Sequence, residues 1–439
     1  MYSDNAEKKL AAANARVGDV IAVTAEGKRY EGILMPRIET GDTNCVVIKL
    51  KSGYNVGIDS DRIKKIEIIE KVTKRIEKPK VIGVEKPSKD AVVILGCGGT
   101  IASKIEYRTG AVYPAISPEE LVTSFPELGK KKIKSRTIFT LFSEDMMPAH
   151  WQDIAEEAAK EIRTGAKGIV LMHGTDTMHY TSAALSFMLK TPVPIVLVGA
   201  QRSSDRGSSD NLMNIMSAVE LAESDIAEIG ICMHATSNDD FCYFHPGTKV
   251  RKMHTSKRDA FQTIGRSPIA KIWWEENKIQ PLGEFKKRGQ EKLEVDSKLN
   301  PNVGLIYIHP GIKPQLIEKL AGIYDGIVIV GTGLGHVPTN PFNDPRGTSL
   351  LPAIKGLVDR GIPVAMAPQT IFGRIDMQVY SDGRALIEAG VIGNYCDWTP
   401  ETALVKLMWV LGHTKEMKQI KEKMQTNYAG EITEKSEIV

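Results

Sequence analysis

A small N-terminal β-barrel followed by two α/β units built on parallel sheets is the fold class the sequence predicts, on three observations. Residues 17–69 alternate short β-type runs with turn signals and hold no segment of helical spacing. From residue 91 the texture changes to continuous apolar runs, AVVILGCGGT, KGIVLMHGTDT, VPIVLVGAQR and EIGICMHATS, which suit strands buried on both faces. Segments with helical spacing, such as WQDIAEEAAKEIRTG, separate those runs, and strands alternating with helices build parallel sheets.

In chain order, a polar, Ala-rich leader gives way to the β segments DVIAV, RYEGILMPRI, CVVIKLK and VGI, separated by the turns AEGK, ETGDTN and SGYN. Short contiguous strands of this kind close into a small antiparallel barrel, assigned to residues 1–75. Residues 76–90 are rich in Lys and Glu and carry Pro79 and Pro87, the composition of a linker. The first α/β unit spans 91–290. Charged sequence without periodicity from Trp273 to Pro301 places the junction there. The second unit, 300–427, alternates VGLIYIHPG, DGIVIVGTGLG and IPVAMAPQT with the helix-like QLIEKLAGI and SLLPAIKGLVDRG. A last helix, ETALVKLMWVLG, precedes a polar tail, 428–439, expected to fray.

Composition excludes several classes of protein. Of the 439 residues 42% are hydrophobic and 25% charged, so the chain can bury a large core. Its 57 Lys/Arg against 54 Asp/Glu leave a net charge of +3, too balanced for a surface coated in basic charge. The excess sits at the front, where residues 1–89 hold 18 Lys/Arg against 13 Asp/Glu and the remainder 39 against 41. Five cysteines with no C-x-x-C pair argue against a disulfide framework and a thiolate zinc site. The N-terminus lacks the apolar core of a signal peptide, and no apolar run reaches the ~18 residues that span a bilayer. A cytoplasmic protein without membrane contact is expected.

Ligands of open parallel sheets bind at the carboxyl ends of strands, so chemistry is sought at the strand-to-loop junctions. Four are unusual: Gly96-Cys97-Gly98-Gly99-Thr100, His173-Gly174-Thr175-Asp176-Thr177, Gly199-Ala200-Gln201-Arg202 and Lys249-Val250-Arg251-Lys252. The first fails as a dinucleotide fingerprint because Ile101 stands where the third glycine belongs, and no phosphate-binding P-loop occurs anywhere in the chain. Two nucleophile readings stay open. Cys97 could act as a thiol with His173 or His179 as its base. Alternatively a threonine hydroxyl could act with a lysine that gives up its proton, and Thr100, Thr175, Asp176 and Lys252 supply that set. Thr175 and Asp176 could instead merely cap the helix that begins near His179. His173 and His179 are six apart, a spacing that does not place them on one helix face and argues against a metal pair.

The segments GCGGTIAS, HGTDTMHYTSA, GAQRSSDRGSSDN and KMHTSKRDAF resemble, in order and spacing, the bacterial-type asparaginase and glutaminase family over residues 91–427. The resemblance implies a two-domain asparaginase-like fold. It implies that Thr100 attacks the amide, that Tyr107 in EYRTGAV orients it, and that Gly99 lies on the substrate side. Thr175, Asp176 and Lys252 would form a second triad that manages a proton; Ser143 in LFSEDM would grip the substrate α-carboxylate, and Asp176 would face the α-amino group. In the second unit GTGLGHVPTN matches the family loosely, and no acidic residue there is assigned to the pocket.

Free enzymes of that family begin near the equivalent of Asp90, so residues 1–89 are an addition. An amidohydrolase extended in this way resembles the D-subunit family of archaeal glutamyl-tRNA(Gln) amidotransferases. That resemblance implies glutamine as substrate, ammonia passed to the amidotransferase's E-subunit, and Glu-tRNA(Gln) engaged through the complex, with this chain a homodimer within a heterotetramer. ATP and Mg would be used by that partner, with no cofactor or metal bound by this chain. The alternatives are a free asparaginase or glutaminase of amino-acid catabolism, and a non-catalytic RNA- or protein-binding protein on the same fold. Retention of the whole threonine, aspartate and lysine set speaks against the last. The choice between asparagine and glutamine depends on the loop from Ser103 to Tyr113, expected to move about Gly110.

Overall fold

The computed structural model describes residues 2–35, 42–50, 55–71, 89–98, 103–105, 112–114, 127–202 and 209–435. Helix α1 (Asp4–Ala12) opens the chain, its first turn capped by the Ser3 hydroxyl, which accepts from the Ala6 amide at 3.3 Å. Five antiparallel strands follow: β1 (Val20–Ala25), β2 (Lys28–Leu34), β3 (Cys45–Leu50), β4 (Asn55–Asp59) and β5 (Ile63–Glu70), in the order β4-β3-β2-β1-β5. Glu26 and Gly27 both take positive φ and turn β1 into β2, the geometry that matches the twist of a two-residue hairpin. Ile21, Val23, Leu34, Val46 and Ile48 form the core with Ala6 and Leu10 of α1. The leader is a packed helix, and Lys9 donates to the carbonyls of Ser60 and Ile63 at the turn joining β4 to β5. Among the described residues no pairing of β4 with β5 closes the sheet, so the small barrel expected from the sequence is not confirmed.

The first α/β unit starts with β6 (Val92–Gly96), followed by a hairpin of β7 (Ser103–Ile105) and β8 (Val112–Pro114), and by β9 (Ile133–Thr137). Next come α2 (Pro148–Arg163), β10 (Gly168–Met172), α3 (Met178–Met188), β11 (Leu189–Lys190), β12 (Ile195–Val198), α4 (Asn211–Glu223) and β13 (Ile229–His234). Strands β9, β6, β10, β12 and β13 are parallel neighbours. Their side chains alternate between two cores. Val93, Leu95, Ile169, Leu171, Ile195 and Leu197 pack with α2 and α3, whereas Val92, Ile94, Val170, Met172, Val196 and Val198 pack with α4. Burial on both faces is why these runs are apolar without interruption.

The sheet then departs from the parallel pattern. Three strands, β14 (Cys242–Pro246), a later β17 (Ala270–Trp273) and β18 (Lys278–Pro281), extend it antiparallel to eight strands. Between β14 and β17 a separate ladder forms from β15 (Val250–Lys252) and β16 (Phe261–Thr263). The stretch read as structureless junction therefore contains β18, and also β19 (Glu294–Val295), paired with β11.

The second unit has a parallel sheet of β20 (Val303–Tyr307), β21 (Gly326–Gly331) and β22 (Val364–Pro368), with helices α5 (Pro314–Leu320), α6 (Leu351–Asp359) and α7 (Ser381–Glu388). Helix α8 (Pro400–Leu411) lies between the units, its Ala403, Leu407 and Val410 in one core with α3 and with Val328 and Ala365 of the small sheet. Helix α9 (Met417–Gln425) follows. The described part of the tail, residues 428–435, is held down where fraying was expected. Glu431 is wholly buried against Lys406 at 2.6 Å, and the Thr433 amide donates to Asp397 Oδ1 at 2.9 Å.

Candidate functional site

The carboxyl ends of the parallel strands converge through close backbone approaches that only glycine permits. After β6, Gly98 takes φ +90 and lies so close to the Leu141 carbonyl that any side chain there would strike it. After β10, a Cβ on Gly174 would sit 2.7 Å from the Ser143 Cβ. The turn leaving β6, the Phe142-Ser143 segment and the β10 junction therefore share one corner of the sheet. Thr177 ties the last two together by donating its hydroxyl to the Ser143 carbonyl at 2.6 Å.

At the β10 junction the side chains divide into structural and chemically available groups. His173 is fully buried, its Nδ1 2.7 Å from the Gly174 carbonyl and its Nε2 2.9 Å from the Thr181 hydroxyl. Burial pushes its pKa down to about 4, so the ring is neutral, donating from Nδ1 and accepting at Nε2. His179 is also buried and pushed down to about 4. Thr175 and Asp176 do not cap helix α3, whose N-cap is Thr177. Instead both are gripped by a lysine from elsewhere in the chain. Lys252, at the end of β15, donates from Nζ to Thr175 Oγ1 at 2.8 Å and to Asp176 Oδ1 at 2.7 Å.

Exposure gives these three groups different tasks. Thr175 is buried and the Lys252 side chain is 9% exposed, while the Asp176 side chain is 64% exposed. A threonine hydroxyl and a lysine amine in contact, shielded from water, can exchange a proton; a carboxylate beside them and open to solvent can meet a cationic ligand group. The thiol reading fails. Cys97 is 1% exposed, and burial pushes its pKa up to about 12, leaving no thiolate at neutral pH.

The structure thus brings Thr175, Asp176 and Lys252 into direct contact and sets Ser143, buried, beside them across Gly174. Gly99, Thr100 and Tyr107 lie outside the described residues, as does the middle of the Ser103–Tyr113 loop. Among the described residues no group of three or more His, Cys, Asp or Glu side chains could hold a metal, and no helix is long and apolar enough to cross a membrane.

Sequence reasoning missed the supports. Asp210 is fully buried and accepts from the amides of Gln201 and Arg202 and from Asn214 Nδ2, which also donates to the Gly199 carbonyl at 3.0 Å. These bonds hold the third junction, and the only signal for them was the SSDN that closes GAQRSSDRGSSDN. The ion pairs Lys249–Asp397 and Arg251–Glu401 join β15 to the second unit across about 150 residues of chain, a separation no local pattern reveals.

Comparison with known proteins gives three family matches. Residues 91–284 match Asparaginase, N-terminal; residues 302–424 match the Glutaminase/Asparaginase C-terminal domain; and residues 15–69 match the GatD N-terminal domain. The glutamyl-tRNA(Gln) amidotransferase D-subunit of Pyrococcus furiosus is 49% identical over 438 residues, 97% of either chain. That of Methanothermobacter thermautotrophicus is 46% identical over 442 residues, 100% of this chain and 98% of the relative. Among solved structures, the thermostable L-asparaginase from Thermococcus kodakarensis superposes with a TM-score of 0.69 at 33% identity, covering 79% of this chain and 100% of that one. L-asparaginase I from Vibrio cholerae does so with a TM-score of 0.66 at 27% identity and the same coverage.

Proposed function

The chain belongs to the D-subunit family of glutamyl-tRNA(Gln) amidotransferases, and from that premise we propose that it hydrolyses glutamine through a threonine nucleophile to supply ammonia for the conversion of Glu-tRNA(Gln) to Gln-tRNA(Gln). The observation that carries the chemical part is the Lys252 amine held at 2.8 Å from the Thr175 hydroxyl and 2.7 Å from the Asp176 carboxylate. Thr100 attacks the side-chain amide carbon, its hydroxyl proton passing through Thr175 and Lys252 to the leaving nitrogen. The C–N bond breaks, ammonia leaves, and water releases glutamate from the acyl-enzyme. Tyr107 orients the nucleophile. Ser143 takes the α-carboxylate, Gly99 lines the same side, and the exposed Asp176 faces the α-ammonium group, whose charge it complements.

The ammonia goes to the amidotransferase's E-subunit, which activates the glutamyl ester with ATP and Mg, and the assembly is a heterotetramer around a homodimer of this chain, in the cytoplasm. The front sheet supports this reading over a free catabolic asparaginase, since it matches the GatD N-terminal domain and precedes the residues that match the two asparaginase domains. The deciding experiment is ammonia release from glutamine and from asparagine by the chain alone, then with its amidotransferase partner and glutamyl-tRNA. A large rise with glutamine on adding both supports the proposal. Full activity of the lone chain on asparagine would replace it with the catabolic reading.

A further inference from the structure

Strand β15, which presents Lys252, pairs with β16 of its own unit and takes polar anchors from the other α/β unit. The Thr248 carbonyl just before it accepts from Thr402 Oγ1 at 2.8 Å. Lys249, wholly buried, donates to the Asp397 carbonyl at 2.6 Å and lies 3.0 Å from its Oδ2. Arg251 Nε donates to Glu401 Oε1 at 2.8 Å. Lys252 alone reaches back to Thr175 and Asp176. A single stretch of six residues, Asp397 to Thr402 at the start of α8, thus grips the polar groups of Thr248, Lys249 and Arg251.

Within that cradle Glu401 is peculiar. It is 4% exposed, and among the described residues its second carboxylate oxygen, Oε2, has no hydrogen-bond partner. A buried carboxylate with one oxygen unmet is a cost that stable packing alone would avoid, and such groups call for a functional explanation.

We propose that Glu401, acting through Arg251, is a positioning residue for Lys252. Arg251 and Lys252 are neighbours on an extended strand and point to opposite faces, so anchoring one side chain fixes the backbone from which the other departs. β15 is three residues long and pairs only with β16 among the described residues, so it has little ladder of its own to hold its twist. The ion pair from α8 supplies what the ladder lacks, and it sets the distance from the Lys252 amine to the Thr175 hydroxyl. The inference rests on reading Lys252 as the proton-handling group.

The test is steady-state glutaminase kinetics and thermal unfolding of the full chain in complex with its amidotransferase partner, as Glu401→Gln, Arg251→Gln, Arg251→Lys and the double variant Arg251→Gln/Glu401→Gln. Glu401→Gln is expected to lower kcat about 10- to 100-fold with KM within about twofold, the scale of a misplaced catalytic group. The double variant should lose no more than the worse single, because both act through one contact, and Arg251→Lys should recover part of the Arg251→Gln loss. Lys252→Met is run alongside. If Lys252→Met is inactive while folded Glu401→Gln keeps wild-type kcat, the positioning role is overturned alone. If Lys252→Met keeps the wild-type rate, the proton-handling reading falls and takes this inference with it.

Discussion

Lys252 could serve its site in two ways, as a fixed positive charge opposite Asp176 or as a group that yields a proton, and substitution by arginine separates them. A charge would need only the carboxylate, whereas a donor placed 2.8 Å from a buried hydroxyl is placed for exchange. Arginine keeps the charge but does not give up its proton near neutral pH. Lys252→Arg is therefore expected to lose glutaminase activity about as completely as Lys252→Met, read as ammonia released at saturating glutamine. Near-normal activity in the arginine variant would assign the lysine a purely electrostatic part. Thr100→Ala should cost at least ~10³-fold, the scale for a lost covalent nucleophile, while Cys97→Ala should leave kcat within about twofold.

Elements were legible wherever their signal was local. The runs VVILG, GIVLM and IVLV declared themselves as two-faced strands because each residue meets one of two cores, and HGTDT could be placed at a strand end for the same reason. What stayed hidden depended on distant pairing. IKKIEIIE, which forms β5, alternates too weakly to read as a strand and is defined by its register against β1. In the antiparallel wing β14 is buried like the parallel strands, and strand direction leaves no mark in composition, whereas β18, KIQP, is polar and mostly exposed and gives no local strand signal. The tail read as polar, yet Glu431 is polar because it meets Lys406, both wholly buried. Removing one partner of such a pair leaves a buried charge, so Glu431→Ala is expected to destabilise by about 3 kcal/mol, lessened by the bonds Lys406 keeps to the carbonyls of Met424 and Thr426. A urea midpoint unchanged by this substitution would show that the tail contributes nothing to closing the two units.

For the whole molecule, the front sheet and the amidohydrolase body each carry a hydrophobic core of their own. Deleting residues 1–89 should therefore leave a folded body, checked by circular dichroism and by its thermal transition, and loss of cooperative unfolding would show that the sheet completes that core. The body's stability should also carry the mark of its buried histidines. Burial lowers His173 and His179 to about 4 and His245 to about 3, against about 6.5 in an unfolded chain. Each is neutral in the fold, so below pH ~6.5 the unfolded chain binds protons that the native one refuses. The stability these groups confer is fully present above pH ~6.5 and is lost as pH falls toward 4. His234 runs the other way. Burial opposes its charge, but the Asp239 carboxylate and the Cys242 sulfur hold it up to about 9, so its contribution is complete below pH ~6.5 and lost only on the alkaline side. Burial also raises the carboxyls of Asp210 and Glu228, which offsets part of the acid loss. A variant isolates the histidine share. His245 bonds Thr263 through Nδ1 at 2.8 Å, and among the described residues its Nε2 has no partner. His245→Asn can keep the first bond while removing the titration. Between pH 6.5 and 4.5 its urea midpoint should fall less steeply than that of the natural chain, by a difference of a few kcal/mol in unfolding free energy, since one pKa unit is worth about 1.4 kcal/mol. Parallel slopes for the two proteins would mean that His245 becomes charged within the fold and that its burial does not govern acid stability.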